Sequence, residues 1–202
     1  MAPGSATAEA TPSLRDRKKE ATRQRLHTAA VRLALAHGVQ EVTVEQIAAE
    51  ADVSPRTFFN YFPTKEAALV GADPARTEQL RQAVLARPAD ESLPQALRAV
   101  LTEHVRGFED EPELWRMRSE LAARVPELEA RIAGAGHRLE SALVEAAHER
   151  AGTDAADDLA TGLAARTAMA ALRAAFHQHR AAGSTGSLLQ RLETAFDAVG
   201  LR

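Results

Sequence analysis

From Leu26 to Val199, apolar residues return at every third or fourth position, and strict alternation of apolar with polar residues is nearly absent. Side chains three and four positions apart share a helix face, whereas a strand needs period two, so the pattern predicts an all-α fold. Arg or Glu interrupts each apolar stretch well before the ~18 residues that span a bilayer, and no membrane helix is expected. With 202 residues the chain can bury its own core, as one large domain or two smaller ones. It has no cysteine, which excludes disulfide staples and thiolate metal sites and agrees with a cytoplasmic location. The opening MAPGSATAEATPSL lacks a basic stretch followed by an apolar one, so residues 1–14 read as a flexible leader rather than a secretion signal.

Caps and prolines punctuate the helical pattern. A first helix is expected from about Asp16 to His37, with Leu26, Ala29, Ala30, Leu33 and Ala36 on one face and Gly38 as its stop. Thr43, followed three places later by Gln46, forms a capping box for a short helix whose inner face is Val44, Ile47, Ala48 and Ala51. Asp52 and Val53 turn the chain. Ser54 then serves as N-cap and Pro55 as first residue of another short helix that Pro63 ends, and Thr64 caps a helix through KEAALV. Longer helices follow: one from Ser92 and Pro94, one from Pro112 that Pro126 interrupts, an Ala-rich one over Asp154 to Ala182, and a last from Leu188 to Val199. These boundaries imply domains at residues 15–70 and 71–202.

Charge and rings are both concentrated in the first domain. Residues 15–32 carry Arg15, Arg17, Lys18, Lys19, Arg23, Arg25 and Arg32 against only Asp16 and Glu20, inside a chain of net charge −3. Such local clustering suits a polyanion partner, which the average hides. Four of the eight aromatic residues, Phe58, Phe59, Tyr61 and Phe62, fall within five positions just after Ser54-Pro55. Rings at helical spacing usually mark core, and Phe58 and Phe62, four apart, fit that role as plugs facing the preceding helices. Arg56, Thr57, Phe59, Asn60 and Tyr61 then face elsewhere and offer a guanidinium for guanine, a methyl for thymine, a ring edge, an amide and a phenol. Two short helices with a tight turn, placed after a basic helix, have the shape of a helix-turn-helix.

At these residues the sequence resembles the TetR family of bacterial transcriptional regulators, over roughly residues 17–70 and most closely in TVEQIAAEADVSPRTFFNYFPTKEAAL. The resemblance implies an all-helical homodimer with an N-terminal three-helix DNA-binding domain and a C-terminal domain for ligand binding and dimerisation. It places Thr43 at a backbone phosphate, Pro55, Arg56, Thr57, Phe59, Asn60 and Tyr61 on the recognition helix, and Lys65 at a further phosphate. The family commonly has Gly at Arg56 and Tyr at Phe59. Here the phenol at 59 is lost and a long side chain able to reach a base edge is gained.

The acidic remainder must regulate, dimerise or do chemistry. Signals for an enzyme are poor, since there is no Gly-rich phosphate loop, G-x-S-x-G, H-E-x-x-H or cysteine nucleophile, and no cofactor is expected. His177 and His179 point to nearly opposite sides of one helix and read as solvated rather than metal-binding. Two apolar stripes, one with Leu163, Thr167, Ala171 and Phe176 and one with Leu188, Leu192 and Phe196, are expected to form a four-helix dimer interface, in keeping with the resemblance. Leu101, His104, Val105, Phe108, Trp115, Arg118 and Leu121 are the candidate lining of an effector cavity. The stretch EPELWRMRSELAARVPELEARIAGAGHRLESAL also resembles the mycofactocin-system branch of the family, which implies acyl-CoA-like ligands, with Arg116 or Arg118 meeting phosphates. The reading is therefore a ligand-responsive repressor that binds a palindromic operator on double-stranded DNA as a homodimer. An effector-independent regulator or activator is the alternative among binding proteins; a small helical enzyme or a protein-only adaptor is the alternative from another class.

Overall fold

The computed structural model describes residues 13–201, Asp16 by its backbone alone. Most of the expected leader lies outside the described residues, and Leu14 is already the first residue of a helix. Among the described residues there are ten α-helices and no strand, so the fold is all-α. The chain divides between Ala68 and Leu69 into two compact units.

The first unit holds α1 (Leu14–His37), α2 (Val44–Glu50), α3 (Pro55–Phe59) and the start of α4 (Lys65–Val70). The capping box is present in full: Gln46 N–H donates to Thr43 Oγ1 at 3.3 Å and Thr43 N–H to Gln46 Oε1 at 2.9 Å. Helix α2 ends in a turn where Asp52 takes φ 53° and Val53 N–H donates back to the Ala48 carbonyl at 2.9 Å. That left-handed position favours Gly, and Asp is among the few other residues that tolerate it. Ser54 caps α3 by accepting from Thr57 N–H at 3.1 Å. Phe58 and Phe62 are 0% and 1% exposed and share the core with Leu26, Ala30, Ile47 and Ala48. Each ring contributes about 1.5–3 kcal/mol through burial. Helix α3 stops at Phe59, earlier than Pro63, because residues 60–62 wind through a tight turn in which Tyr61 and Phe62 N–H both donate to the Phe58 carbonyl.

The second unit comprises α5 (Pro74–Leu85), α6 (Leu93–Glu109), α7 (Pro112–Arg124), α8 (Pro126–Ala151), α9 (Leu159–Ala181) and α10 (Leu188–Ala198). Helix α5 is absent from the sequence reading, although Asp73 caps it and Pro74 opens it. Helix α9 starts at Leu159 rather than Asp154, since it is Asp158 that accepts from Thr161 N–H at 3.1 Å. Helix α5 packs on α8, α8 on α9, and α9 on both α6 and α10. Their buried residues form one continuous core, to which the buried residues of α7, Leu114, Leu121 and Ala122, do not belong.

This core takes up much of the expected dimer stripes. Leu188, Leu192, Phe196 and Ala171 are each at most 2% exposed and close the interior of a single chain. Leu163 is 54% exposed, and Thr167 and Phe176 are half-buried. The α10 stripe was real, but α6 and α9 of the same chain already cover it.

Candidate functional site

Helix α3 presents its outer side as the periodicity requires. Arg56, Phe59 and Asn60 are exposed, Phe59 to 57%, while Thr57 and Tyr61 are half-buried. The Thr57 hydroxyl is 2.9 Å from Ser54 Oγ, so it is engaged within the cap. Arg23 holds the turn after α3: its Nη1 donates to the Tyr61 carbonyl at 2.8 Å and its guanidinium lies 4.2 Å from the centre of the Phe62 ring. Another member of the basic run, Arg32, pairs with Glu50 at 2.7 Å.

Three further basic residues of α1 share a groove with α3 and the turn after it. Arg15, Lys18, Lys19 and Thr22 line an open groove with Leu14, Thr57, Asn60 and Tyr61. Sequence reasoning saw the basic run and the exposed helix face but did not join them. A single surface thus offers ammonium and guanidinium groups beside amide, methyl and phenol groups, the combination that grips phosphates while sampling base edges.

Thr43 is exposed at the N-cap of α2. Lys65 is engaged within the protein. Its Nζ donates to the carbonyls of Val39, Gln40 and Val42 at 3.0, 3.1 and 2.8 Å. An ammonium has three N–H bonds, so all are taken. Lys65 therefore staples the loop that precedes Thr43. His27 Nδ1 lies 2.6 Å from the Ala68 carbonyl and ties α1 to α4.

In the second unit the expected cavity residues separate into two groups. Leu101, Val105 and Leu121 are at most 2% exposed and serve as packing. His104, Phe108, Trp115 and Arg118 come together, joined by two residues that sequence reasoning placed elsewhere. Phe176, expected at the dimer interface, has its ring centre 4.8 Å from that of Trp115 and 5.6 Å from that of Phe108. His179, read as solvated, is 5% exposed and its ring centre lies 6.4 Å from that of Trp115. Its position three residues after Phe176 was the available signal, since i and i+3 share a face. His104 packs edge-on against Phe108 at 5.0 Å, and the Arg118 guanidinium sits 5.5 Å from the Trp115 ring centre.

The polar atoms of this ring cluster are unusual. His104 Nδ1, Trp115 Nε1, Arg118 Nε, Ser119 Oγ and His179 Nδ1 are all shut from solvent without a hydrogen-bond partner. Each such atom costs about 1–3 kcal/mol if left unpaired. Arg118 makes one bond, from Nη2 to the Val70 carbonyl at 3.0 Å, and its burial lowers its pKa to about 10. Burial, with the guanidiniums of Arg76 and Arg118 nearby, lowers the pKa of His104 to about 4. His179 is lowered as well, chiefly by burial and then by Arg191, against an opposing pull from Glu109.

Comparison with known proteins places both units. Residues 26–70 match the family model described as bacterial regulatory proteins, tetR family, and residues 91–201 match the MftR C-terminal domain. The HTH-type transcriptional regulator TcmR of Streptomyces glaucescens is 36% identical over 155 residues, covering 73% of this chain and 68% of TcmR. MftR of Mycobacterium tuberculosis, a transcriptional regulator assigned to mycofactocin biosynthesis, is 28% identical across 91% of this chain and 92% of its own. Among solved structures, the Thermus thermophilus repressor FadR in complex with lauroyl-CoA is 26% identical with a TM-score of 0.52, covering 87% of this chain and 91% of that one.

Two outcomes follow from this geometry. Lys65→Met removes the loop staple, and denaturant unfolding should show a loss of about 1.5–3 kcal/mol, the range for hydrogen bonds to a charged group. The salt dependence of duplex binding should stay at the wild-type slope, and a fall near 0.9 would return Lys65 to the phosphate contacts. The second outcome concerns pH. A histidine whose folded pKa is depressed binds fewer protons folded than unfolded between the two values, so stability is full above about 6.5 and declines as pH falls toward about 4. The His104→Gln variant should show a shallower decline over that window, and an unchanged slope would remove His104 as its source.

Proposed function

Since the chain belongs to the TetR family of bacterial transcriptional regulators and is not an enzyme, we propose that it is a cytoplasmic repressor that binds a palindromic operator as a homodimer and leaves it when a small effector binds the second unit. The observation that carries the DNA half of this reading is the groove in which Arg15, Lys18 and Lys19 of α1 stand beside Thr57, Asn60 and Tyr61. Helix α3 is the reading element, with Arg56 for a base edge and the Thr57 methyl, Phe59, Asn60 and Tyr61 around it. The basic turns of α1 supply phosphate contacts, and Thr43 supplies one more at the start of α2.

One helix-turn-helix covers few base pairs, and two copies about 34–36 Å apart on one face of the duplex give useful affinity. The self-association surface in this reading is the outer face of α9. Leu159 and Leu163, 81% and 54% exposed, lie along it with the exposed Ala170 and Ala174. Small residues let two such helices approach closely. Arg166 and Arg173 border this face, both bound to Glu140 of α8.

The effector site is the ring cluster of Phe108, Trp115 and Phe176. Helix α7 contributes no residue to the continuous core, so a ligand beside α7 leaves that core in place. An acyl-type effector is supported by the likeness to FadR bound to lauroyl-CoA. Binding acts through differential affinity for the DNA-competent and released states.

Selection from random duplexes followed by titration should return a two-fold symmetric site. On that site Arg56→Ala should cost about 1–3 kcal/mol and relax preference at one base pair; uniform weakening over all operator variants would make Arg56 a phosphate contact. For the dimer, Leu163→Arg places a charge on an exposed position that the fold tolerates. Sedimentation at micromolar concentration should show a dimeric wild type and a monomeric variant, whereas a variant that stays dimeric moves the interface off α9.

A further inference from the structure

Trp115 Nε1 and Ser119 Oγ of α7 are shut from solvent inside the ring cluster, so nothing reaches them unless a wall moves. Two walls are fixed. Helices α6 and α9 meet in the continuous core, and α10 is tied to α6 at both ends, by Arg98 to Glu193 and Asp197 and by Glu109 to Ser187 and Leu189. The third wall is α7, which runs through Val125 alone into α8. Helix α8 has two unlike halves. From Leu139 onward it is pinned: Leu139, Leu143, Ala146 and Ala147 pack in the core, Glu140 is bound by Arg166 and Arg173, and Arg150 donates to the carbonyls of Arg87, Pro88 and Glu91. The first half buries Leu128 outside that core, and its ion pair to α9, Glu129 with Arg180, is partly exposed and long at 3.7 Å. Such pairs hold little. The start of α8 also has Val125 where Asp73, Ser92, Asp158 and Ser187 cap α5, α6, α9 and α10 with a side-chain oxygen.

Between the two halves stand Gly134 and Gly136. Glycine inside a helix lowers the weight of the helical state about four- to fivefold against alanine. Close packing would justify that cost, and none is present. Beyond the helix's own backbone, a Cβ at Gly136 would meet nothing within 4 Å, and one at Gly134 would meet only the movable end of Arg138 at 3.7 Å. Helix α8 is thus weakest where its pinned half begins. We propose that α7 and the first half of α8 form a lid that swings about Gly134 and Gly136 and uncovers the ring cluster. The swing carries Trp115 away from Phe108 and Phe176, which stay behind on α6 and α9. Those ring contacts, with the buried Leu114 and Leu121 and the Arg118 bond to the Val70 carbonyl, set the closed position. The lid goes beyond the proposed function, since it gives the route to the cluster whatever the cluster binds.

The chain has no cysteine, so Ser119→Cys puts a single thiol inside the cluster. In the full chain its rate of reaction with dithiodipyridine, a neutral thiol reagent, is compared with that of Ala147→Cys, a fully buried site in the pinned half. Ser119→Cys should react about tenfold faster or more, because a lid opens more often than the whole unit unfolds. Adding Gly136→Ala should slow that reaction about four- to fivefold, and Gly134→Ala with Gly136→Ala further still. Gly107→Ala is the control for general stabilisation. It lies in α6, away from the hinge, where a Cβ would meet only Arg76 at 3.7 Å, and it should leave the rate within about twofold. The lid is overturned if Ser119→Cys reacts no faster than Ala147→Cys, if the alanine pair leaves the rate unchanged, or if Gly107→Ala slows it as much as Gly136→Ala. Should a thiol variant lose its helical circular dichroism, the indole N–H of Trp115, the single tryptophan, decides. Its hydrogen exchange should slow with the alanine pair and hold with Gly107→Ala, and equal exchange in wild type and both variants overturns the lid. No DNA or effector enters these measurements, so their failure spares the regulator, and loss of duplex binding in a separate titration spares the lid.

Discussion

A five-residue helix cannot hold itself together in water, because helix nucleation costs more than so short a run of hydrogen bonds returns. Helix α3 exists because its surroundings hold it at each end and from below. Ser54 caps its first turn, Pro55 presets its opening dihedral, and Phe58 and Phe62 anchor it in the core. Arg23 closes the arrangement by bonding the Tyr61 carbonyl while stacking on Phe62. Everything outward-facing on α3 inherits its position from these four attachments. That is why two of the four rings in this stretch, Phe58 and Phe62, are buried: a helix this short needs large anchors to aim its outward side chains.

The loop before α2 follows the same logic with a different anchor. No apolar side chain can satisfy the carbonyls of Val39, Gln40 and Val42, which the loop leaves outside any helix. A lysine reaching from the first turn of α4 satisfies all three with one group. The cost is a charge withdrawn from the surface, and the basic turns of α1 make up for it. A cation count alone thus misjudges where the positive surface lies, since Lys65, Arg23 and Arg32 are structural and Arg15, Lys18 and Lys19 line the groove.

What was legible in the sequence was local. The caps at Thr43, Ser54 and Ser92 and the breaks at Pro112 and Pro126 depend on residues three or four apart, and the chain spells them out. The inward and outward sides of α3 followed from periodicity, because bulky rings against polar groups give strong contrast. Helix α9 gives little contrast, since Ala is acceptable on either face, and its buried side had to come from packing. For α10 the stripe was correct and its destination was not: periodicity shows that a face is covered, never by which helix. Lys65 and His179 were missed for a related reason. A long or polar side chain takes its role from groups distant in sequence, here carbonyls 23 to 26 positions away for Lys65.

One device recurs where the sequence was least readable. Arg23 lies over Phe62, Arg98 over Phe196 and Arg118 over Trp115, at 4.2, 5.7 and 5.5 Å from the ring centres. Each also donates to a backbone carbonyl outside the regular helix ladder or at its end: Tyr61, Leu201 and Val70. A flat guanidinium can cover a ring face and reach sideways to an acceptor at once, which an ammonium cannot, and this favours Arg at such junctions. The three differ in how the charge is met. Arg98 has Glu193 and Asp197, so its junction is complete and locks α10 against α6. Arg118 makes the same junction without the acids, beside rings and imidazoles that are also short of partners. The same construction is a completed lock where acids meet the guanidinium and leaves a buried cation without an acid partner where they do not.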